Sequence, residues 1–193
     1  SRAGAGSPHR LSPTKGFLVT SNLPLMLITG GSRGIGAATA ILASQRGYAV
    51  TLTYQSRRQE AESVVASIRA SGGRAEAVQV DVSNEADVLE LFRMIDGSGG
   101  RLAVLVNNAG ILAPQMRFEQ MEVARIRQVF DVNVMGSMLS AREAVRRMST
   151  RQGGQGGAIV NLSSAAARLG APNEYIDYAA SKGAIESFTV GLA

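Results

Sequence analysis

Leu25-Met26-Leu27-Ile28-Thr29-Gly30-Gly31-Ser32-Arg33-Gly34-Ile35-Gly36 joins a short, almost wholly apolar run to a cluster of glycines. An Ala-rich stretch follows to about Arg46, and Gly47 closes it. The apolar run reads as a buried strand and the Ala-rich stretch as a helix with a glycine stop. A glycine cluster by itself is weak evidence. Placed at the first strand-to-helix turn of a βαβ unit, it is strong. Gly30 can supply a tight turn, Gly34 a close backbone approach to a pyrophosphate, and Gly36 close packing of helix on strand. The N-terminal amides and positive dipole end of the helix then suit phosphate.

The same alternation continues outward from this turn. Strands are expected at Tyr48 to Tyr54, Ala75 to Val80, Leu102 to Val106 and Ala158 to Leu162. Helices are expected at Arg57 to Ala70, Asn84 to Ile95 and Phe118 to Met148, with another beginning near Tyr178. Strands that alternate with helices at this spacing are parallel and joined by right-handed crossovers. Apolar strands without polar alternation suit a sheet covered on both faces. The expected fold class is therefore α/β, a Rossmann-type doubly wound parallel sheet with its ligand crevice at the carboxyl ends of the strands.

Composition narrows the function classes. The 193 residues suit one domain with a sizeable core, 45% hydrophobic and 18% charged. The formal charge of +5 owes much to Arg2, Arg10 and Lys15, since no acid precedes residue 25. Without them the body is near neutral, which speaks against a nucleic-acid-binding face. Residues 1–24 read as a leader or extension rich in Ser, Pro and Gly, or as a short targeting segment; residues 25–193 form the domain. No apolar run approaches the roughly 20 residues of a membrane span. Cysteine is absent, so disulfides and thiolate metal sites are excluded, and a cytoplasmic location is the simplest reading. The only histidine, His9, lies in the leader, and no metal site is expected.

The spacing Gly-x-x-x-Gly-x-Gly at Gly30, Gly34 and Gly36 resembles that of the short-chain dehydrogenase/reductase family. Independent positions along 25–193 extend the resemblance. Asn107-Asn108-Ala109-Gly110 follows the fourth strand as the family's Asn-Asn-Ala-Gly motif does. There Asn108, Ala109 and Gly110 would line the adenosine side of the cofactor pocket. Asp81-Val82 follows the third strand, where the family places an adenine contact. Asn133 stands within Asp131-Val132-Asn133-Val134, where the family holds a water that links the catalytic lysine to solvent. Within the family, the sequence looks like the bacterial branch of 3-oxoacyl-carrier-protein reductases and glucose 1-dehydrogenases.

Tyr178-Ala179-Ala180-Ser181-Lys182 gives Tyr-x-x-x-Lys, which puts phenol and ammonium on one helix face. A free phenol titrates near 10, and a neighbouring cation lowers that value. Tyr178 would then act as general acid in reduction and general base in oxidation. Lys182 would also bind the nicotinamide ribose. Tyr175 has Ala179 four residues on and lacks this partner. The chain carries 18 Arg and only two Lys, so a Lys kept in the body points to a need for a compact ammonium. The family places a serine at the end of the fifth strand to polarise the substrate oxygen. Ser164 fits that role, 14 residues before Tyr178, one more than the expected spacing, which leaves Ser163 as a competitor.

The resemblance implies a nicotinamide-dependent oxidoreductase acting on a small carbonyl or alcohol, with Ser32, Arg33 and Ile35 joining the three glycines in the phosphate turn. An NAD site normally has an acid after its second strand. Here Tyr54-Gln55-Ser56-Arg57-Arg58 has none before Glu60. Arg33 with Arg57 or Arg58 would suit a 2′-phosphate, so NADP(H) is preferred and NAD(H) possible. Alternatively, Arg58 begins a solvated helix face. The resemblance also implies seven strands where five are present, hence a C-terminally truncated chain, and a homo-oligomer, dimer or tetramer, through the two long helices. A non-catalytic dinucleotide-binding or redox-sensing module is the alternative, although it has no need of the Ser, Tyr and Lys positions.

Overall fold

The computed structural model describes residues 23–193. Nearly all of the expected leader, including Arg2, His9, Arg10 and Lys15, lies outside the described residues. The strands are β1 (Leu25–Ile28), β2 (Ala49–Tyr54), β3 (Ala75–Gln79), β4 (Leu102–Asn107) and β5 (Ala158–Asn161). All pair in parallel, in the order β3-β2-β1-β4-β5. The order reverses between β1 and β4, where a doubly wound sheet opens its crevice.

Helices α1 (Gly34–Gln45) and α2 (Arg58–Ala70) cover one face of the sheet. Ala40, Ala43, Ala61, Val65 and Ile68 pack there on Ile28, Val50, Leu52 and Val106. Small alanines on α1 let it lie close to the strands. Helices α3 (Glu85–Gly97) and α5 (Gly136–Met148) cover the other face. Phe92, Leu91, Ile95 and Leu139 meet Leu25, Leu27, Val78 and Leu105 there. Full burial of a Leu or Phe stabilises by about 1.5–3 kcal/mol. Asn84 caps α3, its Oδ1 accepting from the N–H groups of Ala86 and Asp87 at 2.9 and 3.3 Å.

The expected single helix from Phe118 to Met148 is interrupted. Phe118–Gln120 is a 3-10 turn, and Met121 and Glu122 are extended. Helix α4 (Val123–Phe130) begins only then. Asp131–Met135 is a π-helical turn that passes into α5. Gly136 lets the start of α5 lie close to the segment after β3: a Cβ at that position would stand 2.8 Å from Val82 Cγ2. A short helix α6 (Ala166–Leu169) follows β5, and α7 (Ile176–Leu192) carries Tyr178 and Lys182. Among the described residues, no helix is long and apolar enough to cross a membrane.

Candidate active site

The site is built around a mutual latch between the glycine turn and the loop after β4. Thr29 is buried, and its Oγ1 accepts from the N–H groups of Asn108 and Ala109 at 3.1 and 3.0 Å. Asn108 Nδ2 in turn donates to the carbonyls of Thr29 and Gly30 at 2.9 and 2.7 Å. Gly36 has to be glycine, because a Cβ there would lie 2.5 Å from the Gly30 carbonyl and 2.6 Å from Asn108 Nδ2. Gly34 has φ +55° and open space around it, so backbone conformation sets its identity. The latch leaves α1 without a side-chain cap, its N-cap being Arg33. A helix end of this kind keeps amide N–H groups available for an anion.

A cleft of about 430 Å³ opens over this turn. Gly30, Ser32, Arg33, Gly34, Ile35, Tyr54, Arg57, Asp81, Val82, Asn108, Ala109 and Gly110 line it. Thr53, Gln55, Ser56, Val80, Ile111 and Val132 line it as well. Thr53 is also structural, its Oγ1 accepting from Gly30 N–H at 3.1 Å. The Asp81 carboxylate is held locally, by Ser83 and by Gln55 Nε2 at 3.0 Å. Arg58 does not line the cleft. Its Nε is bonded to Glu62 at 2.8 Å on the exposed face of α2. The cleft, its arginines and the uncapped α1 end fit a dinucleotide.

Asn133, Lys182 and Gly110 converge beside the cleft. A Cβ on Gly110 would lie 3.3 Å from Asn133 Oδ1 and 3.7 Å from Lys182 Nζ. Asn133 is buried in the π-helical turn. Its Oδ1 accepts from Ile111 N–H at 2.8 Å, while Nδ2 donates to the Ile111 carbonyl and to Ser181 Oγ. This satisfies the buried amide and fixes the loop after β4 to α7. Single π-helical turns recur at functional sites, and no residue type betrays them in a sequence.

Lys182 is buried, and its Nζ donates to the Leu162 carbonyl at 2.7 Å. Burial pushes its ammonium below the ordinary lysine value. The Nζ stands 5.8 Å from the centre of the Tyr178 ring. The two serines after β5 diverge. Ser163 Oγ donates to Glu186 Oε1 on α7 at 2.9 Å, whereas Ser164 Oγ accepts from Ala166 N–H at the start of α6. Tyr175 is the N-cap residue of α7. Among the described residues, no group of three or more His, Cys, Asp or Glu stands together as a metal site.

One strong contact lacked any sequence signal. Arg125 on α4 grips Asp177, which immediately precedes Tyr178, at 2.8 and 3.3 Å. Burial pushes the Asp177 carboxyl up, but the Arg125 guanidinium and the Tyr178 N–H outweigh it and hold the group below its ordinary value. The same partner pushes the Arg125 guanidinium up.

The short chain dehydrogenase family model matches residues 24–193, and the chain belongs to that family of nicotinamide-dinucleotide oxidoreductases. It is 51% identical over 171 residues to the uncharacterized oxidoreductase YgfF of Escherichia coli strain K12, covering 89% of this chain and 69% of that protein. It is 36% identical to a 3-oxoacyl-[acyl-carrier-protein] reductase of Synechocystis, covering 86% of this chain and 66% of the reductase. A putative gluconate dehydrogenase from Agrobacterium tumefaciens has a similar solved structure, with a TM-score of 0.81 and 32% identity. That match covers 88% of this chain and 65% of the other. The chain thus spans about two-thirds of the length of these relatives.

Proposed function

We propose that the protein transfers a hydride between NADP(H) and a small carbonyl or alcohol. The observation that carries this reading is the pairing of Tyr178 and Lys182 on one face of α7, with the buried ammonium beside the phenol ring. When bound, the nicotinamide supplies or accepts the hydride. Tyr178 gives its phenolic proton to the substrate oxygen in reduction and takes it back in oxidation. The Lys182 cation favours the phenolate. Ser164 polarises the substrate oxygen, because the Ser163 hydroxyl is already bonded to Glu186. Asn133 holds Lys182's surroundings in place through Ile111 and Ser181.

The test is made on the full-length protein. Tyr178→Phe should abolish NADPH-dependent turnover across a panel of small ketones, aldehydes and alcohols while leaving NADPH binding near normal. Retained turnover would sink the tyrosine assignment. An intact protein that binds NADPH and turns over nothing in the panel would point instead to a binding or sensing module.

NADP(H) is preferred because Arg33 at the start of α1 and Arg57 after β2 both line the cleft, with no acid between Tyr54 and Arg58. Titrations of NADPH and NADH should show the former binding more tightly. Arg33→Ala with Arg57→Ala should narrow the gap, and equal affinities in wild type would refute the preference. Val123, Met135 and Met138 are exposed along α4 to α5, and Val190 on α7, which supports homo-oligomer contacts through these helices.

A further inference from the structure

We propose that Arg125 is a positioning residue that aims Tyr178, acting through Asp177 and through the loop after β4. The proposal rests on Tyr178 being the acid–base group.

The need for such a device lies in where the tyrosine sits. Tyr178 is the third residue of α7, and the preceding Tyr175 provides no side-chain cap. First turns of helices fray, because their N–H groups lack intrahelical partners. Just upstream, Ala171 and Asn173 adopt left-handed backbone conformations, φ +44° and +60°, which non-glycine residues rarely hold. Lys182, one turn further on, is anchored separately to the Leu162 carbonyl. The distance between phenol and ammonium therefore depends on what holds the first turn.

Arg125 holds it. Its Nε and Nη2 fork onto the two oxygens of Asp177, whose side chain is 1% exposed. Asp177 Oδ1 also accepts from the Tyr178 N–H at 2.9 Å, so the carboxylate fixes the helix start at the reacting residue itself. The remaining Arg125 nitrogen, Nη1, donates to the Pro114 carbonyl at 2.6 Å. One guanidinium thus joins α4, the first turn of α7 and the loop after β4. That loop is tied at two further points, Ile111 to Asn133 and Met116 N–H to the Glu174 carbonyl at 3.1 Å. Only a planar fork makes three directed bonds of this kind; a lysine keeps the charge and loses the geometry.

Positioning and bare electrostatics predict different results. If the pair acted only by charge, Arg125→Met would leave a carboxylate beside Tyr178 and raise its titration. Asp177→Asn would leave a guanidinium and lower it. If the pair aims the residue, both substitutions loosen the phenol from Lys182, and both raise its titration because the phenol loses a neighbouring cation. The experiment is a phenolate absorbance titration of the full-length protein, with Tyr178→Phe as the blank that isolates this tyrosine. Arg125→Met, Asp177→Asn and Arg125→Lys are titrated alongside, each with NADPH affinity and kcat for a carbonyl turned over in the panel.

The expected result is an upward shift in both Met and Asn variants, NADPH affinity unchanged, and kcat down by about a hundredfold, the scale of an ångström-level misplacement. Arg125→Lys should fall between these variants and wild type, and it keeps the test open where the Met variant folds poorly. Folded variants with an unmoved titration and normal kcat would overturn the proposal, as would shifts of opposite sign. Retained turnover in Tyr178→Phe would instead remove the acid–base reading on which it stands.

Discussion

Asp177 shows how much one buried carboxylate can contribute. Its folded-state titration lies below the ordinary 3.8, chiefly because Arg125 and the Tyr178 N–H overcome the cost of burial. A depressed carboxyl contributes stability that is present above its unfolded value and lost as pH falls through the folded value. The Arg125–Asp177 pair should therefore support the fold fully at neutral pH and fail only in acid, below pH 3.8. Arg125→Met at pH 7 leaves an unpaired buried charge and should cost about 3–5 kcal/mol. Denaturant midpoints measured across a pH series check both statements: the loss in the variant should shrink as the carboxyl protonates. Asp177 and Arg125 were not legible in the sequence, because an Asp beside a Tyr and an Arg in a polar helix are common. Tyr178, Lys182, Gly30, Gly34 and Gly36 were legible, since their spacing states a geometry. Arg58 carried two alternatives in the sequence, a phosphate contact and a solvated helix face, and in the structure it pairs with Glu62 on the exposed face of α2.

At the scale of elements, the sequence predicts helix from Phe118 to Met148 because charged and apolar residues keep a helical rhythm through it. The extended Met121 and Glu122, and the π-helical turn at Asp131–Met135, leave no mark in that rhythm. The π-helical turn answers to other segments: Asn133 reaches Ile111 and Ser181, and Gly136 lies against Val82. Gly136→Ala tests the second of these contacts. Its new methyl would meet Val82 Cγ2 at 2.8 Å and the Val82 carbonyl at 3.1 Å, pushing α5 off the end of β3. The expected loss is about 1–3 kcal/mol, despite alanine's better helix propensity. A rise in the urea midpoint would show that helix propensity outweighs the contact. Strand existence was far easier to read, since each buried run was short, apolar and bounded by turns.

For the whole molecule, the strand order β3-β2-β1-β4-β5 is one of those that alternation and the right-handed crossover rule allow. What the alternation does not convey is that β5 forms one edge of the described sheet, with Val160 47% exposed. Edge strands with open apolar side chains invite pairing with other chains. The 193-residue chain should accordingly associate in a concentration-dependent way, and Val160→Lys should reduce that association in light scattering. An unchanged scattering profile would place the sticky surface elsewhere, with the exposed methionines of α4 to α5 as the next candidates.

The latch between Thr29 and Asn108 also dictates a schedule. Its two halves are 79 residues apart in the chain. During synthesis the glycine turn leaves the ribosome long before the strand that completes it. Contacts so distant in sequence form late. Added dinucleotide should therefore not rescue a turn-only intermediate, and competence to bind should arrive in a single step once β4 docks beside β1.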